Sequence, residues 1–215
     1  MIRAVIFDMD GVISDTQKIF SSVESEQLKK YGIHVTPEKL EEKYAAMSDR
    51  PFYEKIFKDY EKPLPNIETL MQKKWEKMFM LTEKNVEALP GVVKLITDLK
   101  NHNFKLAVAS ASLFNFIENV LQALKIKNMF DSIASSEEVK NGKPAPDVFL
   151  LAAKRLEIDP KDCIVIEDSI NGMIAAKTAG MKCIGYVRKN TKKQYPADKI
   201  IENFSEMNSE KIQKL

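Results

Sequence analysis

The chain is poor in the residues that mark several classes of protein. Only two cysteines occur among its 215 residues, Cys163 and Cys183, and each lies inside an apolar segment. This pattern favours buried thiols over a disulfide or a catalytic role. Apolar runs of the roughly 20 residues that span a bilayer are also missing. The apolar run near the start is short and is interrupted by aspartates, unlike a signal peptide, so we expect a cytoplasmic protein with no membrane partner.

A dominant charge is missing as well. Lysine and arginine together number 33 and aspartate and glutamate 31, which gives a net charge of +2. This balance provides no electrostatic basis for binding nucleic acid, and short lysine pairs such as Lys73-Lys74 are interpreted as solvated surface. The hydrophobic content of 44% and the charged content of 30% are typical of a soluble globular protein. The length allows one large domain or two small ones.

Two patterns of apolar residues divide the chain. Residues 15–88 have helical periodicity without a convincing strand, whereas residues 1–14 and 89–215 alternate apolar strands with helices. Such alternation is typical of a mostly parallel sheet. We therefore predict a doubly wound, Rossmann-like α/β core with an inserted helical cap over the carboxyl end of its sheet. Five aromatic residues are predicted to form the core of the cap: Phe20, Phe52, Phe57, Trp75 and Phe79.

Polar clusters occur where predicted strands end. The strands are expected at residues 5–7, 105–110, 132–134, 163–166, 183–187 and 198–201. The clusters are Asp8 with Asp10, Ser110 with Ser112, Lys143 in its loop, and Glu167-Asp168-Ser169. Taken singly, serines cap helices and a Gly-Lys-Pro loop is a common turn. Gathered at one edge of a sheet, where open α/β sheets bind ligands, they indicate a functional site.

The residue types in these clusters suit phosphoryl transfer with magnesium. Mg²⁺ prefers a few carboxylates together with water and phosphate oxygens, and Asp8, Asp168 and Glu167 supply such carboxylates. A carboxylate also attacks phosphorus to form an aspartyl-phosphate, and a second carboxyl group nearby moves protons to the leaving oxygen and from water. Lys143 neutralises charge on the nucleophile and on the phosphoryl oxygens, which Ser110 and neighbouring backbone N–H groups bind.

Four segments resemble, in order, the four motifs of the haloacid dehalogenase superfamily. They are Asp8-Met9-Asp10-Gly11-Val12, Ala109-Ser110, Gly142-Lys143-Pro144 and Glu167-Asp168-Ser169. The stretch from Glu167 to Met181 is similar to the signature of the β-phosphoglucomutase-like phosphatases, which carry a helical cap after the first strand. The resemblance covers nearly the whole chain and implies the α/β fold, the cap and Mg²⁺-dependent chemistry.

The resemblance also implies a role for each motif residue. Asp8 would be the nucleophile, and Asp10 the general acid and base with its backbone carbonyl on the metal. Lys143 would hold nucleophile and phosphate together, and Ser110 and Ala111 would bind the phosphoryl group. The metal site would comprise Asp8, Asp10, Glu167 and Asp168, with Glu167 as a direct or water-mediated partner. The second aspartate argues against a true dehalogenase, which needs neither that acid/base nor Mg²⁺.

Two further residues are candidates for shaping the site. Arg50 is the best cap candidate for contact with substrate, because a guanidinium suits a phosphate or a hydroxyl-rich ligand. The alternative is a surface arginine that pairs with Asp49 or Glu54. Thr16 follows the first motif near the predicted hinge, where it either shapes the site or caps a helix.

Departures from the mutase pattern favour a phosphatase. The mutases of this subgroup carry a histidine at the position of Phe20 and a lysine at the position of Leu113. They also carry a Lys-Gly pair in the cap, where the aligned segment of this chain reads Ala45-Ala46-Met47-Ser48-Asp49-Arg50. We therefore expect hydrolysis of a small phosphorylated metabolite, above all a sugar phosphate, by an enzyme that works as a monomer. A β-phosphoglucomutase is the alternative. A phosphonate hydrolase that uses a cap lysine such as Lys43, and a non-catalytic binding protein, are less favoured.

Overall fold

The computed structural model describes residues 1–82, 86–187 and 194–215, and its centre is a six-stranded parallel sheet. The strands are β1 (Ala4–Phe7), β2 (Lys105–Ser110), β3 (Ser132–Ser135), β4 (Cys163–Glu167), β5 (Lys182–Tyr186) and β6 (Lys199–Ile201). They lie in the order β3-β2-β1-β4-β5-β6. The chain thus winds outward from β1 in both directions, which confirms the doubly wound α/β fold.

The register of the central strands brings the first and last motifs together. Phe7 of β1 lies beside Val108 of β2 and Ile166 of β4. The residues that follow Phe7 and Ile166 in the chain therefore emerge side by side at the carboxyl edge. This is the point at which the strand order reverses, where doubly wound sheets bind their ligands.

Both faces of the sheet are covered, as continuous apolar strands require. Val5 and Phe7 face one core, on the side of α5 (Val92–Asn101) and α6 (Phe114–Ala123), whereas Ile6 faces the other. The second core is closed by α7 (Asp147–Leu156) and α8 (Ile170–Thr178). A short C-terminal helix, α9 (Ser209–Gln213), and four single-turn 3₁₀ helices were not predicted, because segments of three to five residues carry too little periodicity.

Both cysteines are free thiols buried against the second face of the sheet. Burial raises the pKa of the Cys163 thiol to about 12, so the thiolate is suppressed at neutral pH. This confirms the expectation of structural thiols. Within the described ranges, no helix combines the length and the apolar character that crossing a bilayer requires.

In the described part of the insert after β1, the chain forms four helices. They are α1 (Thr16–Lys29), α2 (Pro37–Tyr44), α3 (Asp49–Asp59) and α4 (Ile67–Thr82). The chain leaves and re-enters the core at one place, where Ser14 pairs with Ala88 and the backbone N–H of Leu89 donates to the Ile13 carbonyl at 2.9 Å. We propose this crossing as the boundary between core and cap, beside the predicted divisions after residues 14 and 88.

The aromatic residues of the insert belong to two different clusters, and the prediction that all five form the cap core was wrong. Phe52 and Phe57 lie in the cap core, with Leu28, Leu40 and Tyr53. The others surround Phe116 of the α/β core, with ring centroids 5.6 Å (Phe20), 5.1 Å (Trp75) and 5.4 Å (Phe79) away. They do so because α1 and α4 are the helices that enter and leave the cap, and their inner faces meet α6. Aromatic packing therefore joins the cap to the core.

Candidate active site

Asp8 and Asp10 lie in a tight turn directly after β1. The backbone N–H of Asp8 donates to the Ile166 carbonyl at 3.0 Å, which continues the sheet by one residue. Ile13 and Ser14 then donate back to the Met9 carbonyl. Gly11 has a φ of +100°, and a Cβ at this position would lie 2.1 Å from Asp168 Oδ2. Glycine is required here both by the backbone conformation and by the close approach of Asp168.

Lys143 joins two of the motif carboxylates. Its Nζ donates to Asp8 Oδ1 at 2.6 Å, to Glu167 Oε2 at 2.8 Å and to the Ala109 carbonyl at 3.2 Å. The side chain is completely buried, and Nζ stands 4.7 Å from the centroid of the Phe149 ring. Burial lowers the pKa of Lys143, but the charges of Asp8 and Glu167 outweigh burial and raise it above its usual range, so the ammonium stays charged.

Three carboxylates converge beside this lysine. Asp8, Glu167 and Asp168 each offer an oxygen, and these atoms lie within 4.8 Å of one another. Burial and the Glu167 charge raise the pKa values of both Asp8 and Asp168 well above the ordinary range. One ammonium therefore balances three carboxylates, two buried and one half-buried, only in part, and the cluster has the oxygen ligands and the negative charge that suit a divalent cation.

Glu167 also organises the loop around it. Its Oε1 accepts from the Asp168 and Ser169 backbone N–H groups, both at 3.0 Å, and from Ser169 Oγ at 2.9 Å. Ser169 Oγ in turn accepts from the Gly172 N–H and caps α8. A Cβ on Gly172 would lie 1.8 Å from Glu167 Oε2. Glu167 thus has protein partners at both oxygens, and it holds Lys143 and the Asp168 backbone in place.

The Asp10 carboxylate is held by three hydroxyl groups. Thr16 Oγ1 donates to Oδ1 at 2.5 Å, and Ser110 Oγ and Ser112 Oγ donate to Oδ2 at 2.9 and 2.7 Å. Burial raises the pKa of Asp10, and these hydrogen bonds act against that rise. Thr16 therefore belongs to the site, and Asp15 rather than Thr16 occupies the N-cap of α1.

Ser110 lies at the expected place but is turned toward Asp10. Its hydroxyl is buried and also accepts from the Ser112 backbone N–H at 3.0 Å. Ala111 and Ser112, rather than Ser110, line the cavity above Asp8 and Asp10. The predicted contact of Ser110 with a phosphoryl group stays a prediction, and the structure adds Ser112 beside it.

The helical insert lies over this edge of the sheet and leaves a cavity of about 50 Å³ between itself and the core. Asp8, Asp10 and Asp168 form its floor, and cap residues form its roof: Gln17, Phe20, Glu24, Leu40, Tyr44, Ala45, Ala46, Met47, Asp49, Phe52, Lys74 and Trp75. Small-molecule sites typically measure ~300–1,000 Å³, so this cavity is small for a substrate. Asn171 of α8 joins the core to the insert by donating to the Ala45 carbonyl at 3.0 Å.

The structure does not bring Arg50 to the cavity. Its guanidinium pairs with Glu68 of α4, and about half of its side chain (52%) is exposed. The neighbouring Asp49 lines the cavity instead. Both residues belong to α3, where successive side chains point about 100° apart, so Arg50 is turned away from the side that Asp49 occupies. The predicted contact of Arg50 with substrate stays a prediction that this arrangement does not support. Arg50 does form an ion pair, as the alternative expected, but with Glu68 rather than with Asp49 or Glu54.

Lys74 is the main cavity-lining residue that the sequence did not reveal. Only 4% of it is exposed, so the interpretation of Lys73-Lys74 as solvated surface was wrong for Lys74. Leu70 and Met78, four residues before and after it, are both buried. This helical spacing was the available signal, since it places Lys74 on the inner face of α4.

Known proteins are similar to this chain in sequence and in fold. The family model of haloacid dehalogenase-like hydrolases matches residues 5–186. The chain belongs to this family. The Bacillus subtilis protein YhcW, named as a phosphatase, is 37% identical over 86% of this chain and 83% of its own length. Hexitol phosphatase B of Escherichia coli K12 is 30% identical over 85% of this chain and 82% of its own length. The chain is therefore an enzyme of the phosphatase type.

A solved structure supports the same assignment. The crystal structure of β-phosphoglucomutase from Clostridium difficile superposes with a TM-score of 0.87 and 32% identity, over 100% of this chain and 96% of that one. The predicted membership of the β-phosphoglucomutase-like group is thereby confirmed. Because phosphatases and a mutase share this architecture, fold alone does not choose between hydrolysis and isomerisation.

Proposed function

We propose that the protein is a Mg²⁺-dependent phosphatase that hydrolyses the phosphate monoester of a small metabolite, above all a sugar phosphate, through a phospho-Asp8 intermediate. The observation that carries this proposal is the position of Asp8. It lies between a fully buried lysine and two further carboxylates, at the floor of a cavity that the cap closes. This arrangement supports nucleophilic attack on a phosphoryl group away from bulk water.

Asp8 is prepared for attack by Lys143. The ammonium binds Oδ1, and among the described residues Oδ2 has no hydrogen-bond partner. Oδ2 is therefore the oxygen we assign to attack: the Oδ2–P bond forms as the ester P–O bond breaks. Lys143 favours the ionised carboxylate and offsets the negative charge of the incoming phosphoryl oxygens.

Asp10 is the proposed acid and base. Burial raises the pKa of its carboxyl group, which favours a carried proton, and the hydroxyls of Thr16 and Ser112 fix its orientation at the floor of the cavity. Asp10 donates the proton to the leaving oxygen in the first step. In the second step it takes a proton from the water that attacks phospho-Asp8, which releases inorganic phosphate and regenerates both carboxyl groups.

The residues present fit a divalent cation. Asp8 and Asp168, with Glu167 directly or through water, and the backbone carbonyl of Asp10 are the proposed ligands of Mg²⁺. When bound, Mg²⁺ would supply charge neutralisation at the phosphoryl oxygens. Three carboxylates around one ammonium, with a glycine that leaves room for Asp168, are the features of this chain that support the assignment.

Among the departures from the mutase pattern, Phe20 and the segment that begins at Ala45 line the cavity, whereas Leu113 does not. Phe20, Ala45 and Ala46 all belong to its roof, and none of them carries a group that can transfer a proton or pair with a second phosphate. These side chains support hydrolysis over isomerisation. The phosphonate hydrolase alternative has no support from Lys43, because its ammonium pairs with Asp59 at 2.8 Å and does not line the cavity.

Phosphate release from a panel of phosphorylated metabolites tests the proposal. With Mg²⁺ present we expect rapid release from one or a few sugar phosphates, and Asp8→Asn should lower turnover by roughly 10⁴-fold or more while the folded protein is retained. The panel should include β-glucose 1-phosphate with a bisphosphate primer. Conversion to glucose 6-phosphate without phosphate release would establish the mutase instead. Calorimetric titration with Mg²⁺ should show binding that Asp168→Asn weakens.

A further inference from the structure

The roof of the cavity contains a buried group of charges, which we call the cap ion cluster: Glu24, Asp49 and Lys74. Lys74 Nζ donates to Asp49 Oδ1 and, at 3.1 Å, to Glu24 Oε1. All three side chains are largely buried, with 4% to 12% exposed, and all three line the cavity. Exposed ion pairs contribute little to the stability of a fold. A buried cluster of charges also carries the free-energy cost of removing its groups from water, so we expect a specific role for this one.

Aromatic rings close the cluster from the sides. Lys74 Nζ stands 5.1 Å from the ring centroid of Phe20, 5.2 Å from that of Trp75 and 6.0 Å from that of Phe52. The indole N–H of Trp75 donates to Asp49 Oδ2 at 2.6 Å. An ammonium among ring faces and carboxylates is the arrangement that binds cationic ligands. Here the protein's own lysine fills that position.

The cluster leaves the roof without a free positive charge. With all three groups ionised, two carboxylates and one ammonium give a net charge of −1. Among the described residues that line the cavity, Lys74 is the only lysine or arginine. Asp49 holds Lys74 and Trp75, whereas Glu24 Oε2 has no hydrogen-bond partner among the described residues. Glu24 therefore lines the cavity with a carboxylate oxygen that has no partner among the described residues.

We propose that the cap ion cluster selects phosphate monoesters whose remaining part is uncharged and hydroxylated, and that it rejects substrates with a second anionic group or with an amine. This inference rests on the proposed function, because it concerns the part of the substrate that leaves Asp8. Glu24 is the specificity-determining residue, and its free oxygen accepts from a substrate hydroxyl.

Three contacts explain the selection. A hydroxyl donates to Glu24, and such charge-assisted hydrogen bonds are stronger than neutral ones. A second phosphate or a carboxylate would approach two carboxylates at low local dielectric and be repelled. An amine would need the aromatic and acidic surroundings that Lys74 already occupies. The C–H groups of a polyol would pack on the apolar ring faces of Phe20 and Trp75.

Matched substrates test the inference on the wild-type protein. Glucose 6-phosphate, 6-phosphogluconate and glucosamine 6-phosphate share a carbon skeleton and present a hydroxyl, a carboxylate or an amine. Glycerol 3-phosphate and 3-phosphoglycerate form a smaller pair. We expect kcat/KM for the neutral member of a series to exceed that of each charged member by roughly 10-fold or more.

Glu24→Gln provides the sharper test. It removes one charge, leaves Lys74 paired with Asp49, and keeps the shape of the side chain. We expect it to lower kcat/KM for the neutral ester roughly 10-fold and to reduce the preference over the anionic ester by a similar factor. The matched control is Glu26→Gln, two residues along α1, which is exposed, pairs with Lys77 and does not line the cavity. It should leave the preference unchanged.

Binding separates this inference from the proposed function. Trp75 is the only tryptophan and lines the cavity, so its fluorescence reports ligand affinity in Asp8→Asn protein, where turnover is blocked. Tighter binding of the neutral esters that is lost in the Glu24→Gln background supports the inference. This holds even if the wild-type protein hydrolyses none of the esters, a result that would refute the proposed phosphatase activity but not the inference. Equal or tighter binding of the anionic or amino esters, or an unchanged preference in folded Glu24→Gln protein, overturns the inference. If that variant does not fold, the wild-type preference decides.

Discussion

The floor and the roof of the cavity each contain a buried lysine between two carboxylates. On the floor Lys143 joins Asp8 to Glu167, and on the roof Lys74 joins Asp49 to Glu24. In both places the acidic partners outweigh burial and raise the pKa of the lysine. The two clusters differ in what surrounds them. The difference shows how similar pairs of charges serve different tasks.

The floor has an excess of carboxylates, and the roof is enclosed by aromatic rings. Asp168 adds a third acid beside Asp8 and Glu167, which suits a cation and a reacting phosphoryl group. The roof has the Oε2 of Glu24, which has no partner in the described part of the chain, and apolar ring faces; these suit hydroxyls and C–H groups. We infer that the floor carries the chemistry and the roof carries the selection.

Replacing each lysine by methionine is the strongest way to break this comparison. Lys143→Met and Lys74→Met both leave buried carboxylates without their cation, so each should lower the free energy of unfolding by about 3–5 kcal/mol. Only Lys143→Met should also lower kcat, by roughly 10²–10³-fold, because it removes a donor to the reacting groups. Urea denaturation and steady-state kinetics measure the two effects. A loss of kcat of the same size in Lys74→Met would show that the roof takes part in the chemistry.

A contact between the core and the cap beside the cavity offers a second test. A Cβ on Gly142 would lie 1.9 Å from Ser48 Oγ, so Gly142→Ala should keep the cap from closing fully. The φ of Gly142 lies outside the left-handed region, and alanine is tolerated by the backbone. We expect kcat/KM to fall roughly 10- to 100-fold, as expected when catalytic groups are misplaced.

Ser48→Gly is the matched change for this contact. It removes the hydroxyl and the Cβ that the new methyl group meets, so the double variant should recover most of the lost kcat/KM. A double variant as slow as Gly142→Ala would mean that the methyl group acts on Lys143 next to it rather than on cap closure.

The smallest expected effect concerns a carboxylate of the cap away from the cavity. Hydrogen bonds from Lys43 and from the Tyr44 hydroxyl hold the pKa of Asp59 well below its usual range. Because its pKa is lowered on folding, the Asp59 carboxylate stabilises the folded state at pH values above the carboxyl pKa of the unfolded chain, about 3.9. This stabilisation is lost as the pH falls toward the pKa of the folded state. Asp59→Asn should therefore unfold at a lower temperature than wild type at pH 7, with the difference shrinking below about pH 4. A difference that stays constant down to pH 2 would assign the effect to shape rather than charge.

The floor could be predicted from the sequence because its parts follow strands. Parallel strands end at one edge of the sheet, so Asp8, Lys143 and Glu167 were expected to lie together. In the sequence, Lys143 is 135 residues from Asp8 and 24 residues from Glu167. The hydroxyl network around Asp10 was only partly foreseen, since Thr16 was equally consistent with a helix cap. Its contact depends on the path of the turn between Gly11 and Ser14.

The roof could not be predicted in the same way. Glu24, Asp49 and Lys74 come from three helices, and no periodicity within one helix specifies how three of them pack. Two adjacent lysines are typical of an exposed surface, so the burial of Lys74 was not predicted. Arg50 and Asp49 differ by one helical position, and an error of one residue turns a side chain from the cavity to the solvent.

Trapping of the covalent intermediate tests the central claim most directly. Protein that is turning over a sugar phosphate with Mg²⁺ should be quenched in acid, reduced with borohydride and digested for mass spectrometry. We predict that the acyl phosphate at residue 8 is reduced to homoserine, and that Asp8→Asn protein yields none. Turnover without any modification at residue 8, or with the modification at another carboxylate, would contradict the account.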